Sequence, residues 1–182
     1  MDGLTIELRP TAVTPPFRIR AAGPLDIEPS VVLACAAAPE RGAGSWRDAL
    51  TEELQHPERL LLVVEIEREV VGYGRVRLFT QPPDAPTDAA PGGYYLTGVF
   101  IRPDRRRAGL GAAITDARLR WISERATEAW FFANARNSAS IELHRRFGFE
   151  EVTRRFSFPG ATFSGGEGIL YRSRLSPNGA KG

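Results

Sequence analysis

Two almost wholly apolar runs, "YYLTGVFI" (Tyr94–Ile101) and "AWFFANA" (Ala129–Ala135), are each followed by a helix-forming segment, and this order constrains the chain more than any other feature. A strand apolar along nearly its whole length has to be covered on both faces, so each run predicts a central strand. After the first, Leu110, Ala113, Ile114, Ala117 and Trp121 recur at helical spacing and predict an amphipathic helix to about Arg125. After the second, "SASIELHRRF" predicts another helix. A chain of 182 residues, 42% of them apolar, can bury one core. At the usual domain size of about 100–200 residues, that predicts a single compact α/β unit.

The flanking segments extend the same pattern. "FRIRA" alternates as a strand does, "EPSVVLACAAA" predicts a helix opened by Pro29 and Ser30, and Ser45 is the expected N-cap of "WRDALTEELQ", which stops by Pro57. "RLLLVVEIE" and "RVRLFT", joined through the turn-like "REVVGYG", predict an antiparallel hairpin. "QPPDAPTDAAPGG" has no periodicity and is expected to be a mobile loop. "EEVTRRFSF" and "GILYRSRL" predict a closing strand pair. The expected organisation is an N-terminal arm or extra edge strand over 1–16, one domain over 17–175 and a flexible tail over 176–182.

Composition excludes several classes of function. The single cysteine, Cys35, rules out an internal disulfide framework and a Cys-based zinc site, and with only His56 and His144 as histidines no metal is expected. "MDGLTIELRP" holds an acid and no apolar core of signal-peptide length, and "VVLACAAA" falls short of a membrane span, so a cytoplasmic setting without membrane contact is expected. A net charge of +2 is too small to imply wholesale nucleic-acid binding. Of 24 basic residues only Lys181 is lysine, a skew that points to a GC-rich bacterial genome rather than to any chemistry.

"RPDRRRAGLGAAI" (Arg102–Ile114) stands at the first strand-to-helix junction. Pro103 ends the strand, and Gly109 and Gly111 let the backbone turn tightly. A helix starting there aims free N–H groups and its positive dipole end at the turn, a natural phosphate site that flanking arginines reinforce. A capped turn with solvated arginines is the competing reading. A dinucleotide fingerprint fits poorly because Ile114 stands where its third glycine belongs, and a Walker loop lacks its Gly-Lys-Ser/Thr.

"RRAGLG" resembles the R/Q-x-x-G-x-G/A signature of the GNAT superfamily of N-acetyltransferases, and "NSASIELHRRFGF" resembles that family's second signature. The resemblance covers roughly 17–175. It implies a mixed, mainly antiparallel α/β sheet, helices on both faces, splayed between the Tyr94–Ile101 and Ala129–Ala135 strands. It also implies acetyl-CoA as co-substrate. On that basis Arg106, Arg107, Ala108, Gly109, Leu110, Gly111 and Ala112 would hold the pyrophosphate through backbone N–H groups. Val99 and Ile101 would meet the pantetheine arm through their main chains, and Asn137 would reach the same arm or merely cap its helix. Arg102 and Arg105 are either partners for further phosphates or plain surface.

Acyl transfer needs the amine as free base. A lysine-like amine of pKa about 10.4 costs about 4.6 kcal/mol to hold deprotonated at pH 7, an α-amine of pKa about 7.7 only about 1 kcal/mol. Family members often place a glutamate on one of the two central strands. Here those strands offer Tyr94, Tyr95 and Thr97, then Phe131 and Phe132, which leaves Glu65 or Glu67 on the hairpin, a solvated strand face, or a water relay. Where many relatives carry a tyrosine proton donor for the leaving thiolate, "LHRRFGF" carries His144, either a donor to sulfur or simply core. The expected function is acetyl-CoA-dependent N-acetylation of a primary amine on a small molecule, an aminoglycoside-like antibiotic included, by a monomer or homodimer. Asp84, Asp88 and Glu167 are candidate loop acids for drawing in a cationic acceptor. Acetylation of a protein or peptide and a catalytically silent acyl-CoA-binding module are the alternatives. Nucleic-acid binding is disfavoured because no aromatic interleaves the arginines.

Overall fold

The computed structural model describes residues 17–163 and 166–176. The arm expected over 1–16 and residues 177–182 of the expected tail lie outside the described residues. The elements run β1 (Phe17–Ala21), α1 (Ile27–Ala37), α2 (Ala43–Gln55), β2 (Arg59–Ile66), β3 (Glu69–Phe79), β4 (Gly93–Ile101), α3 (Leu110–Ser123), β5 (Glu128–Asn134), α4 (Ser138–Arg145), β6 (Glu150–Thr153) and β7 (Gly168–Arg174). One sheet has the order β1-β2-β3-β4-β5-β7-β6. Its neighbours are antiparallel except β4 and β5, which are parallel.

Strand alternation distributes the core between two faces. Leu61 and Val63 of β2 pack with Val31 and Ala34 of α1 and Trp46 and Leu50 of α2. Their neighbours Leu62 and Val64 pack instead with Leu110 and Ile114 of α3. The α1/α2 pair therefore covers one face and α3 the other. α4 joins the α3 side through Ile141, which packs with Leu119 and Ile122 of α3 and Phe131 of β5.

Local chemistry moves several boundaries. α1 begins at Ile27 rather than at Pro29, which sits inside the first turn where no N–H is needed. Gly42, not Ser45, caps α2; Ser45 lies within its first turn and accepts a hydrogen bond from Arg41 at 3.1 Å. The hairpin turn is Glu67–Arg68, both at positive φ (50° and 68°), as a two-residue hairpin turn requires. The glycines expected in that turn lie inside β3, where Gly74 makes room for Arg118: a Cβ there would stand 3.2 Å from Nε of Arg118. The loop before β4 is pinned at its end, with Ser157 donating through its N–H to the Asp88 carbonyl at 2.9 Å and Ala90 to the Ser157 carbonyl at 2.8 Å.

Candidate functional site

β4 and β5 diverge almost as soon as they meet. Among the described residues they pair only at Tyr95 and Trp130. The cause is a bulge: the β3–β4 register shifts between Gly74 and Arg75, and Gly98, opposite that shift, sits at φ 52°. Glycine suits the place, because the backbone is left-handed there and a Cβ on Gly98 would lie 2.8 Å from Nη2 of Arg75 and displace it. Beyond the bulge, β4 keeps β3 on one side and leaves its other edge without a strand.

A cavity of about 930 Å³ fills this splay and reaches both faces of the sheet. At its α3 end stands the arginine-rich turn. Arg106 donates from Nε to the Ile101 carbonyl at 3.1 Å, Arg107 takes φ 64°, and Gly109 caps α3 in the left-handed region at φ 79°. A Cβ on Gly109 would meet nothing within 4 Å, so the space in front of the helix start is open. Arg106, Arg107, Leu110 and Gly111 line the cavity, as do Val99 and Ile101, whereas Ala108, Gly109 and Ala112 do not. With Arg106 bound to it, the Ile101 carbonyl is already engaged. Asn137 lines the cavity and caps α4 as well, its Oδ1 accepting from the Ser140 N–H at 3.2 Å.

His144 also lines the cavity, 3% exposed, stacked flat on Phe131 with ring centroids 3.7 Å apart. Burial, with a further push from Arg118, lowers its pKa from 6.5 to about 4 despite the hydrogen bond to Ser140. It is therefore neutral at pH 7. Its Nδ1 lies 2.8 Å from the Ser140 carbonyl, an acceptor, so the proton sits on Nδ1 and Nε2 carries a bare lone pair. Nε2 is buried without a partner. This tautomer accepts a hydrogen bond and has no proton to give at Nε2, which runs against the expected donation to sulfur.

Glu65 does not reach the cavity. Its carboxylate accepts from Arg20 at 2.8 Å, and the same guanidinium holds Asp26 at 2.6 Å, so Glu65 belongs to an ion-pair cluster on the β1 side of the sheet. Strand alternation identifies its face but not this partner. Asp84, Asp88 and Glu167 do not line the cavity either. Glu167 pairs with Arg154 at 2.8 Å, and Asp88 accepts from the Ser157 hydroxyl at 3.1 Å.

Sequence reasoning missed the cavity's other charges. Arg118 of α3 is 1% exposed, donates to Thr115 Oγ1 at 3.0 Å and to the Arg75 carbonyl at 3.3 Å, and leaves Nε without a partner. Burial, with the like charge of Arg75, lowers its pKa to about 9, so it stays charged at neutral pH. On the opposite face Arg75 and Arg77 of β3 converge on Glu53 of α2, which is 2% exposed; Arg77 Nε stands 2.6 Å from it. Arg41 lies 4.2 Å above the Trp46 ring. Arg41, Arg75, Arg77 and Arg118 all line the cavity, and among the described residues no aspartate or glutamate does. Signals existed in the sequence: Arg75 and Arg77 alternate onto one strand face, and Glu53 continues the apolar stripe of Trp46, Ala49 and Leu50.

No group of three or more metal-ligating side chains occurs among the described residues, and no described helix is long and apolar enough to cross a membrane. What the arrangement offers is an open strand edge, a helix start flanked by arginines, and unpartnered buried polar atoms at the gap between them. These suit an elongated amide-bearing ligand that ends in phosphates.

Comparison with known proteins leads to the same chemistry. An N-alpha-acetyltransferase of Sulfurisphaera tokodaii is 28% identical over 141 residues, 75% of this chain and 81% of that protein. The crystal structure of a ribosomal-protein-alanine N-acetyltransferase from Brucella melitensis shares the fold at TM-score 0.67 and 21% identity, over 87% of this chain and 99% of the other. An aminoglycoside antibiotic 6'-N-acetyltransferase from Acinetobacter baumannii does so at TM-score 0.65 and 17% identity, over 81% and 99%. The model of the acetyltransferase (GNAT) family matches residues 32–149, and with that match over a sheet split between β4 and β5 the chain belongs to this family, as an N-acetyltransferase that uses acetyl-CoA.

Proposed function

We propose that this chain transfers the acetyl group of acetyl-CoA to the unprotonated primary amine of a small molecule. The observation that carries the reading is the open edge of β4 running straight into the turn at Arg106–Gly111, beside a gap reached from both faces. The pyrophosphate lies on the helix start with Arg106, Arg107, Ala108, Gly109, Leu110, Gly111 and Ala112 around it, and the pantetheine amides run along Val99 and Ile101. The amine enters from the α1/α2 face.

Acetyl-CoA supplies the thioester. The amine lone pair attacks its carbonyl carbon, the C–S bond breaks, and the proton shed by the nitrogen ends on the departing sulfur. Arg118 places a buried positive charge below the gap, where it favours the developing negative charge. His144 offers Nε2 as an acceptor for the thiol S–H of free CoA and keeps Phe131 in place by stacking. No carboxylate lines the cavity among the described residues, and the low pKa of His144 makes its Nε2 too weak a base to deprotonate an ammonium group. The protein then relies on amine that is already deprotonated, which suits an α-amine at about 1 kcal/mol and disfavours a lysine-like amine at about 4.6 kcal/mol.

The same lining opposes an aminoglycoside-like acceptor, because a polycation would meet arginines and no acid. A peptide N-terminus is the second reading, favoured by the name of the Sulfurisphaera relative and by the low pKa of α-amines. Thiol release from acetyl-CoA, measured against amino acids, short peptides, lysine-blocked analogues and kanamycin, tests both. The reading predicts turnover with small α-amines whose kcat/KM climbs with pH through the pKa of the acceptor. Kanamycin or peptides outperforming every small α-amine contradicts it.

A further inference from the structure

Two guanidiniums on the α1/α2 face share one carboxylate, and a third lines the same cavity without one. Arg75 and Arg77 both converge on Glu53, and among the described residues Arg41 has no acid within ion-pair distance, only the Ser45 hydroxyl. The buried Glu53 needs one arginine; the second and third leave an excess of two positive charges against the cavity. Arg41 and Arg75 both stack against the Trp46 ring, at 4.2 Å and 5.7 Å from its centroid, and with Arg77 they line the same cavity. The Arg75 side chain is 11% exposed and its Nε is buried without a partner. Burial lowers the pKa of Arg75 despite the opposing pull of Glu53 and Tyr73, and Arg77 and Arg41 add smaller pushes in the same downward direction.

The buried member, Arg75, is the one that gains most from a further negative partner, since its charge is the least solvated of the three. The three arginines stand on β3 and the α1–α2 connection, apart in the fold from the turn at Arg106, which opens α3. Planar guanidiniums held by stacking are suited to a carboxylate or phosphonate, which they grip through paired hydrogen bonds. Phe132, Phe158 and Phe163 line the same cavity and give an apolar body somewhere to lie.

We propose that the acceptor is a small amine that carries its own anionic group, a carboxylate or phosphonate a few bonds from the nitrogen, bound by Arg41, Arg75 and Arg77. This rests on the reading that the chain acetylates a small amine and names the class. The arrangement does two things at once. It anchors the acceptor by its anion, and its positive field disfavours the ammonium form of the nearby nitrogen, which offsets the missing carboxylate base.

Calorimetric titration of the CoA-loaded protein with glutamate, phenylalanine and 2-aminoethylphosphonate, beside phenylalaninamide and ethylamine, tests it, with turnover from acetyl-CoA measured in parallel at equal concentrations of the unprotonated amine. The anionic amines should bind about tenfold or more tighter than the uncharged-tail amines, and added salt should weaken them. Arg41→Gln and Arg77→Gln, both at partly exposed positions, should each weaken that binding about 10–100-fold and leave acetyl-CoA affinity unchanged. Equal binding of phenylalanine and its amide, no binding of any anionic probe, or variants that lose acetyl-CoA affinity instead would overturn the proposal. Anionic amines that bind but are not acetylated would leave the anion site standing and overturn small-amine transfer; acetylation of the amides without preference for the acids would do the reverse.

Discussion

Arg118→Met should make the protein more stable and less active. Burial, with repulsion from Arg75, lowers the Arg118 pKa to about 9. At about 1.4 kcal/mol per pKa unit, these two effects together disfavour the charged form by about 5 kcal/mol on folding. Two hydrogen bonds offset this, one to Thr115 at 3.0 Å and a longer one to the Arg75 carbonyl at 3.3 Å. At about 1.5 kcal/mol each they return about 3 kcal/mol, which leaves a net penalty of about 2 kcal/mol. Methionine fills a similar volume without the charge, so urea denaturation at pH 7 should show a gain of about 2 kcal/mol. If the guanidinium is kept for the chemistry, kcat should fall about tenfold or more in the same variant. A Met variant less stable than wild type, or one with undiminished kcat, would show that Arg118 is an ordinary part of the core and refute the reasoning.

Three further outcomes follow from the same geometry. The folded state holds the His144 pKa at about 4 against 6.5 in the unfolded chain, so between these values the unfolded state binds more protons and stability drops as pH falls. At pH 5 this removes about 2 kcal/mol, and His144→Phe should abolish that share of the acid sensitivity in melting curves recorded from pH 7 to 4.5; an unchanged acid slope would mean that His144 already titrates near its ordinary value. Glu53→Gln leaves Arg75 and Arg77 without a counter-charge and should cost about 3–5 kcal/mol by chemical denaturation. Gly98→Val combines φ 52° with a Cβ 2.8 Å from Arg75 and should cost about 2 kcal/mol or more and suppress turnover, whereas a stable, active variant would mean that the bulge does not set the splay.

The strand-helix-strand-helix core was legible because both apolar runs and the α3 repeat are local patterns. The splay was available from the sequence only through family resemblance, since it depends on the register of β4 against β3 around Gly98. His144 stood out by position, but its neutrality depends on contact with Phe131 and the charge of Arg118, groups far from it in sequence. Glu65 shows the converse limit: its partner Arg20, which it shares with Asp26, becomes visible only when β1 pairs with β2. The arginine pair on β3 and Glu53 on α2 were each readable as same-face residues, yet nothing local says that they meet.

The claim on which the rest depends is that the opening of α3 binds the pyrophosphate of acetyl-CoA. A Cβ on Gly109 would touch no protein atom within 4 Å, so Gly109→Val adds bulk on the open side of the turn where the account seats the pyrophosphate, at a left-handed position whose strain costs about 1–2 kcal/mol in stability. Calorimetric titration with acetyl-CoA, well below the melting temperature of the variant, separates the two effects. The account predicts a folded protein with affinity reduced about tenfold or more. A folded Gly109→Val protein that binds acetyl-CoA as tightly as wild type would contradict it.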